Sequence, residues 1–167
     1  MTIDIQATQL CLADFVAVHA AARPHALALA LGEEQLDWQA LNKRVDGAAA
    51  TLQQLGVGTG DPVAFFVPNS IPAYVAMLGA LRIGAVISPL SSLFTADTLA
   101  RITQDTGASV MVTDGSYSDR AAAAVAMVDT TNPCRLVQAE AMSQGAPSPL
   151  RAVQADAPAT LIYSSGT

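Results

Sequence analysis

Pro62-Val63-Ala64-Phe65-Phe66-Val67 is followed by Pro68-Asn69-Ser70, then by an apolar stretch through Ile83, then by Gly84 and Ala85-Val86-Ile87-Ser88-Pro89-Leu90. The first and last of these runs are continuous and apolar, as expected of strands buried on both faces. Ser70 is a good N-cap for the segment between them. Pro72 is tolerated in that helix's first turn, and Gly84 ends it. The stretch therefore reads strand–helix–strand, the unit of a parallel sheet.

The same punctuation extends in both directions. Upstream, residues 12–22 read as a helix stopped by Pro24, with Phe15, Val16, Val18 and His19 near one another. Residues 26–31 alternate Ala and Leu as a strand, and Gln35-Leu36 begin a return strand after the turn at Gly32. Asp37 caps a helix from Trp38 to Leu55, which Gly56 closes. Downstream, Thr95 caps a helix ending at Thr106-Gly107, and residues 108–113 form a strand. Ser118 is read as the cap of an Ala-rich helix reaching Val128, and residues 134–138 as a short strand. Residues 142–158 read as a long loop, because Gly145, Pro147, Pro149 and Pro158 fall there. Residues 159–163 read as a last strand that runs into Ser164-Ser165-Gly166-Thr167. The fold class is α/β, a mostly parallel sheet with helices on both faces. Ligands in such sheets bind beyond the carboxyl ends of the strands, where this terminal run lies.

Composition narrows the function classes. The 167 residues suit one domain. They are 51% hydrophobic and 13% charged, which excludes a disordered tail. So little charge implies apolar surface intended for other parts of a larger protein, and hence self-association of the chain on its own. A net charge of −6 with eight Lys and Arg and no basic run argues against nucleic acid as a partner. Cys11 and Cys134 form no CxxC or Cys/His cluster, so no metal site is expected, and both thiols are expected to be reduced. The start lacks the basic region of a signal peptide, and no apolar run is long enough to span a membrane, so the expected location is the cytoplasm.

Few residues stand out for chemistry. Neither a Gly-Lys-Ser/Thr loop nor a G-x-G-x-x-G occurs, and Gly56-Val57-Gly58-Thr59-Gly60 follows a helix rather than a strand. His19 and His25 have no nucleophile or carboxylate at a suggestive spacing. Asp61, Asp97, Asp105 and Asp114 fall at turns and helix ends, where Asp serves the backbone. Trp38, Phe65 and Phe66 read as packing. Ser164-Ser165-Gly166-Thr167 has hydroxyls and a glycine that suit phosphate oxygens, and equally the composition of an ordinary polar turn. No catalytic residue is assigned.

From about Leu36 to Thr167 the chain resembles the adenylate-forming, AMP-binding superfamily of acyl-CoA and aryl-CoA synthetases, luciferases and peptide-synthetase adenylation domains. The resemblance is carried by Leu36-Asp37-Trp38-Gln39-Ala40-Leu41, Leu55-Gly56-Val57 and Gly60-Asp61-Pro62-Val63-Ala64. Further matches are Val67-Pro68-Asn69-Ser70, residues 78–86, Pro89-Leu90, Thr106-Gly107-Ala108 and Val112-Thr113-Asp114. The segment Leu161-Ile162-Tyr163-Ser164-Ser165-Gly166-Thr167 is similar to the start of the family's ATP phosphate loop. The resemblance implies that residues 1–167 are the N-terminal part of the large domain, stopping within that loop. It implies that Ser164, Ser165, Gly166 and Thr167 contact ATP phosphates. ATP, Mg²⁺, coenzyme A and a carboxylic acid would serve the full-length ligase, with none bound by the fragment, which would be inactive alone. Pro89-Leu90-Ser91-Ser92-Leu93-Phe94 leans toward aryl and medium-chain acyl-CoA synthetases. Two other readings stand beside the ligase: an adenylation domain that loads a carrier protein, and a non-catalytic, flavodoxin-like interaction module.

Overall fold

The structure is a computed structural model that describes residues 12, 14–142, 153–154 and 156–163. In chain order the elements are α1 (Asp14–Ala22), β1 (Leu27–Leu31), β2 (Glu34–Asp37), α2 (Trp38–Gln54), β3 (Pro62–Phe66) and α3 (Ile71–Arg82). Then come β4 (Val86–Pro89), α4 (Ala96–Thr106), β5 (Val110–Thr113), α5 (Ser118–Val125), β6 (Arg135–Gln138) and α6 (Ala139–Met142).

β3 through β6 form one parallel sheet in the order β4-β3-β5-β6. The period-two geometry of β3 divides the interior into two cores. Val63 and Phe65 join Val110 and Val112 against α2 and α3. Ala64 and Phe66 join Met111 against α4 and α5. Helices therefore cover both faces, as the strand–helix alternation predicts. β1 and β2 form a separate antiparallel hairpin with a register irregularity between Leu27 and Leu29.

Three predicted caps are present. Asp37 Oδ1 accepts from Ala40 N at 2.7 Å, Ser70 Oγ from Ala73 N at 3.2 Å and Thr95 Oγ1 from Thr98 N at 3.3 Å. The capping bond leads the causes that hold the Asp37 carboxyl below its ordinary range, ahead of His25. Gly107 ends α4 with φ of 70°, a conformation glycine adopts without a Cβ clash.

The fourth cap is a correction. Ser118 is the first residue of α5, the capping position is Tyr117, and no side chain caps the helix. Ser118 Oγ instead donates to Asp114 O at 2.8 Å. α5 also ends at Val125 rather than near Val128. Bonds from Met127 N to Ala124 O and from Val128 N to Val125 O tighten the chain there, which turns Val128 into the core. Short α6 directly follows β6, ahead of the predicted loop, most of which lies outside the described residues.

α2 and α3 are locked together. A Cβ built on Gly79 would stand 2.6 Å from Ala48 Cβ and 2.9 Å from Ala49 N. The same seam holds Arg82, whose side chain is 3% exposed and donates from Nη1 to Asp46 Oδ1 at 2.5 Å. Asn42 Nδ2 donates to the other Asp46 oxygen at 3.3 Å. In the sequence Arg82 marks only the end of an apolar stretch, yet it is a buried ion-pair partner, costly to leave alone. His19 packs between Phe15 and Trp38 in an aromatic group, which accounts for it without chemistry. Cys134 is a free, buried thiol that burial pushes up to about 11, and Cys11 lies outside the described residues.

Gly79→Ala is expected to destabilise the chain. Alanine gains about 1 kcal/mol of helix propensity. The overpacking it causes costs roughly 1–3 kcal/mol, and the upper end applies because one obstructing atom is backbone. Urea denaturation should show a net loss of about 2 kcal/mol; an unchanged or raised midpoint would show that the two helices can part without cost.

Candidate functional site

Because all four strands run the same way, the loops after β3, β4, β5 and β6 share one edge of the sheet. That edge is held together by polar contacts. Asp114, buried just beyond β5, accepts from Ser116 Oγ at 2.9 Å and Ser116 N at 3.2 Å. Ser118 accepts from Gln138 Nε2 at 2.9 Å, which ties the end of β5 to the end of β6. Arg120 Nη1 donates to Ser92 O at 2.7 Å and Phe94 O at 3.2 Å, with its guanidinium 5.5 Å from the Phe66 ring centre. The loop after β4 is thus fixed by a residue of α5. Sequence reading missed Arg120, since nothing local connects residue 120 to residues 92–94. Beyond β3, Val67, Pro68 and Asn69 join Ala73, Tyr74 and Met77 around a cavity of about 180 Å³.

The last described segment reaches this sheet beside β4. Ile87 N donates to Ala159 O at 3.0 Å and Leu161 N donates to Ile87 O at 2.9 Å, a single parallel bridge centred on Thr160. The strand expected over residues 159–163 is therefore one bridge and not a strand. The physical reason is Pro89. The next rung of the parallel ladder would need a donor from residue 89, and proline has no N–H. Released from the ladder, Ile162 is 74% exposed. Tyr163 departs to donate its hydroxyl to Asp105 near the end of α4. That hydrogen bond leads the causes that push the Tyr163 phenol up to about 12.

Ser164, Ser165, Gly166 and Thr167, the predicted phosphate contacts, lie outside the described residues, as does Arg151. Tyr163, which immediately precedes them, is the anchored end of the described chain. No group of three His, Cys, Asp or Glu among the described residues could hold a metal ion. No helix among them is long and apolar enough to cross a membrane.

Residues 16–167 match the family profile described as "AMP-binding enzyme". The chain belongs to this family. Among curated relatives of the chain, it is 30% identical over 151 residues to a probable non-canonical nonribosomal peptide synthetase, CymA, of Salinispora arenicola, covering 89% of the chain and 2% of the relative. It is 35% identical over 104 residues to a probable CoA ligase, CCL9, of Humulus lupulus, covering 62% of the chain and 20% of the relative. The N-terminal domain of FACL13 from Mycobacterium tuberculosis superposes with a TM-score of 0.84 at 22% identity, covering 93% of the chain and 42% of that structure. This shows the shared fold. The chain thus spans a small part of these AMP-binding relatives, up to 42% for the structure and as little as 2% for the peptide synthetase.

Pro89→Ala tests the role of the missing donor. The substitution restores an N–H facing Leu161 O, worth about 1 kcal/mol, while a looser unfolded chain costs a comparable amount. Stability should barely change, but the backbone amide that the substitution creates at position 89 should be protected in hydrogen exchange followed by NMR. Free exchange at that amide would mean that something other than Pro89 ends the ladder.

Proposed function

We propose that this chain is the opening part of an ATP-dependent carboxylate–CoA ligase. In the proposed reaction a carboxylate oxygen attacks the α-phosphorus of ATP, and the bond to the β-phosphate oxygen breaks. The products of this half are an acyl-adenylate and pyrophosphate. The thiol of coenzyme A then attacks the acyl carbon, and AMP leaves. The observation that carries the reading is the family match, which runs through Thr167. It is supported by the single bridge at Thr160 and the Tyr163–Asp105 hydrogen bond, which hold the segment that precedes Ser164 in sequence.

In this reading Ser164, Ser165 and Thr167 donate hydroxyls to ATP phosphates, and Gly166 lets the backbone approach them. Tyr163 and Asp105 position the entry to that run. Phosphoryl charge also requires cationic help. The described residues offer no carboxylate set for Mg²⁺, so no step is assigned to the metal through them.

A second reading has its own support. The peptide-synthetase relatives cover 86–89% of the chain in three cases, against 62% and 70% for two CoA ligases. In that reading the same adenylate is passed to a carrier-bound thiol instead of coenzyme A. The match to an enzyme family leaves the flavodoxin-like interaction module without support.

Carboxylate-dependent ATP–pyrophosphate exchange tests the function. The 167-residue chain should give none, since its nearest Lys or Arg to the hydroxyl run in sequence is Arg151. In the longer protein proposed here, exchange should be robust. The double variant Ser165→Ala, Thr167→Ala should lower kcat/KM for ATP on the order of 10² with the circular dichroism spectrum unchanged. Exchange by the short chain would mean that the catalytic machinery lies within these residues after all, and unaltered ATP kinetics in the double variant would remove Ser165 and Thr167 from the site. Offering coenzyme A and a phosphopantetheinylated carrier separately as acceptors decides between the two readings.

A further inference from the structure

Val67, Pro68 and Asn69 from the loop after β3, with Ala73, Tyr74 and Met77 from the first turns of α3, enclose a cavity of about 180 Å³. Its size is close to the ~150 Å³ at which an apolar protein cavity holds one benzene ring. No charged residue lines it. Ala73 is buried and Val67, Pro68 and Met77 are half-buried, while Asn69 is exposed and Tyr74 is 43% exposed. The floor is thus apolar, and the polar groups, the Asn69 amide and the Tyr74 hydroxyl, belong to the mouth. α3 is locked to α2 at Gly79, so the three helical residues sit on a fixed support. The cavity lies at the sheet edge where the loops after the strands gather.

We propose that this cavity takes the ring of a small aromatic carboxylic acid and leaves its carboxylate at the mouth; that this acid is the substrate rests on the adenylate-forming reading above. An ionised carboxylate is costly to bury without a partner charge, so the uncharged floor admits the ring end only. At the mouth Asn69 Nδ2 and the Tyr74 hydroxyl donate to the carboxylate oxygens, which stay open to attack a phosphorus atom. A phosphate or nucleotide is a poor occupant, because no Lys or Arg lines the cavity. A ring is preferred to an alkyl chain for two reasons. The Tyr74 ring offers an edge-on or offset-stacked contact, and the Met77 thioether gains from lying against an aromatic edge.

Methyl NMR of the 167-residue chain, labelled at methionine, tests the site without ATP. Benzoate should shift the Met77 methyl saturably, with a dissociation constant on the order of 1 mM, while the methyl of exposed Met127 stays still. Cyclohexanecarboxylate, of similar size without the aromatic face, should bind several-fold more weakly. Tyr74→Ala should weaken benzoate binding about fivefold. Asn69→Asp should weaken it about tenfold by like-charge repulsion and leave benzyl alcohol unaffected. Both positions are exposed, and circular dichroism checks that the variants keep the fold. In the longer protein proposed above, Tyr74→Ala should raise KM for the aromatic acid about fivefold and leave KM for ATP unchanged. A Met77 methyl that does not move, an equal shift at Met127, equal binding of cyclohexanecarboxylate, or benzoate binding indifferent to either variant would overturn the assignment of the cavity, whereas the adenylation reading stands or falls on the exchange assay. An unchanged KM for the acid in Tyr74→Ala would overturn the cavity's role in holding the substrate.

Discussion

β3 is the constraint on which the remainder of the molecule depends. Its side chains point alternately to two interiors, so one five-residue strand must satisfy both at once. Val63 and Phe65 anchor the α2–α3 layer, while Ala64 and Phe66 anchor the α4–α5 layer. Its hydrogen bonds serve β4 on one side and β5 on the other. A polar residue at any of these four positions would damage a core and leave a buried group to satisfy. The seam between α2 and α3 then fixes how closely the first layer sits, through the absent side chain of Gly79 and the buried Arg82–Asp46 pair.

From that sheet a shared loop edge follows by geometry. Parallel strands deliver every loop to the same side, where ligands of such folds bind. Arg120 fixes the loop after β4 from across the sheet, and Asp114, Ser116, Ser118 and Gln138 knit the ends of β5 and β6. Pro89 limits the last pairing to one bridge, so the chain is directed by Tyr163 to Asp105 rather than by a ladder. Tyr163 is thus anchored away from the sheet, at the residue that precedes the hydroxyl-rich run in sequence.

Much of this was legible in the residues because its causes are local. Asp37, Ser70 and Thr95 cap helices through bonds to the third residue onward, an interaction that spacing alone reveals. The apolar runs around Val63, Val86 and Val110 disclose buried strands for a similar reason. What remained hidden depends on distant partners. Ser118 looks like a cap but bonds back to Asp114 and across to Gln138. Residues 159–163 look like a strand, yet their pairing is decided by Pro89, some seventy positions earlier. Nothing local in the sequence marks the roles of Arg82 and Arg120, because their partners, Asp46 and the carbonyls of Ser92 and Phe94, lie far away along the chain. The phosphate-contact reading of Ser164, Ser165, Gly166 and Thr167 rests on sequence resemblance, since those residues lie outside the described structure.

The central role of β3 is open to a direct measurement, native-state hydrogen exchange under increasing denaturant. The amides of residues 63–66 should exchange only through global unfolding, with a free energy equal to that from denaturation, while those of the edge strand β6 open at lower cost. Exchange of the β3 amides by local opening, at or below the free energy found for β6, would contradict the account and move the organising element elsewhere in the sheet.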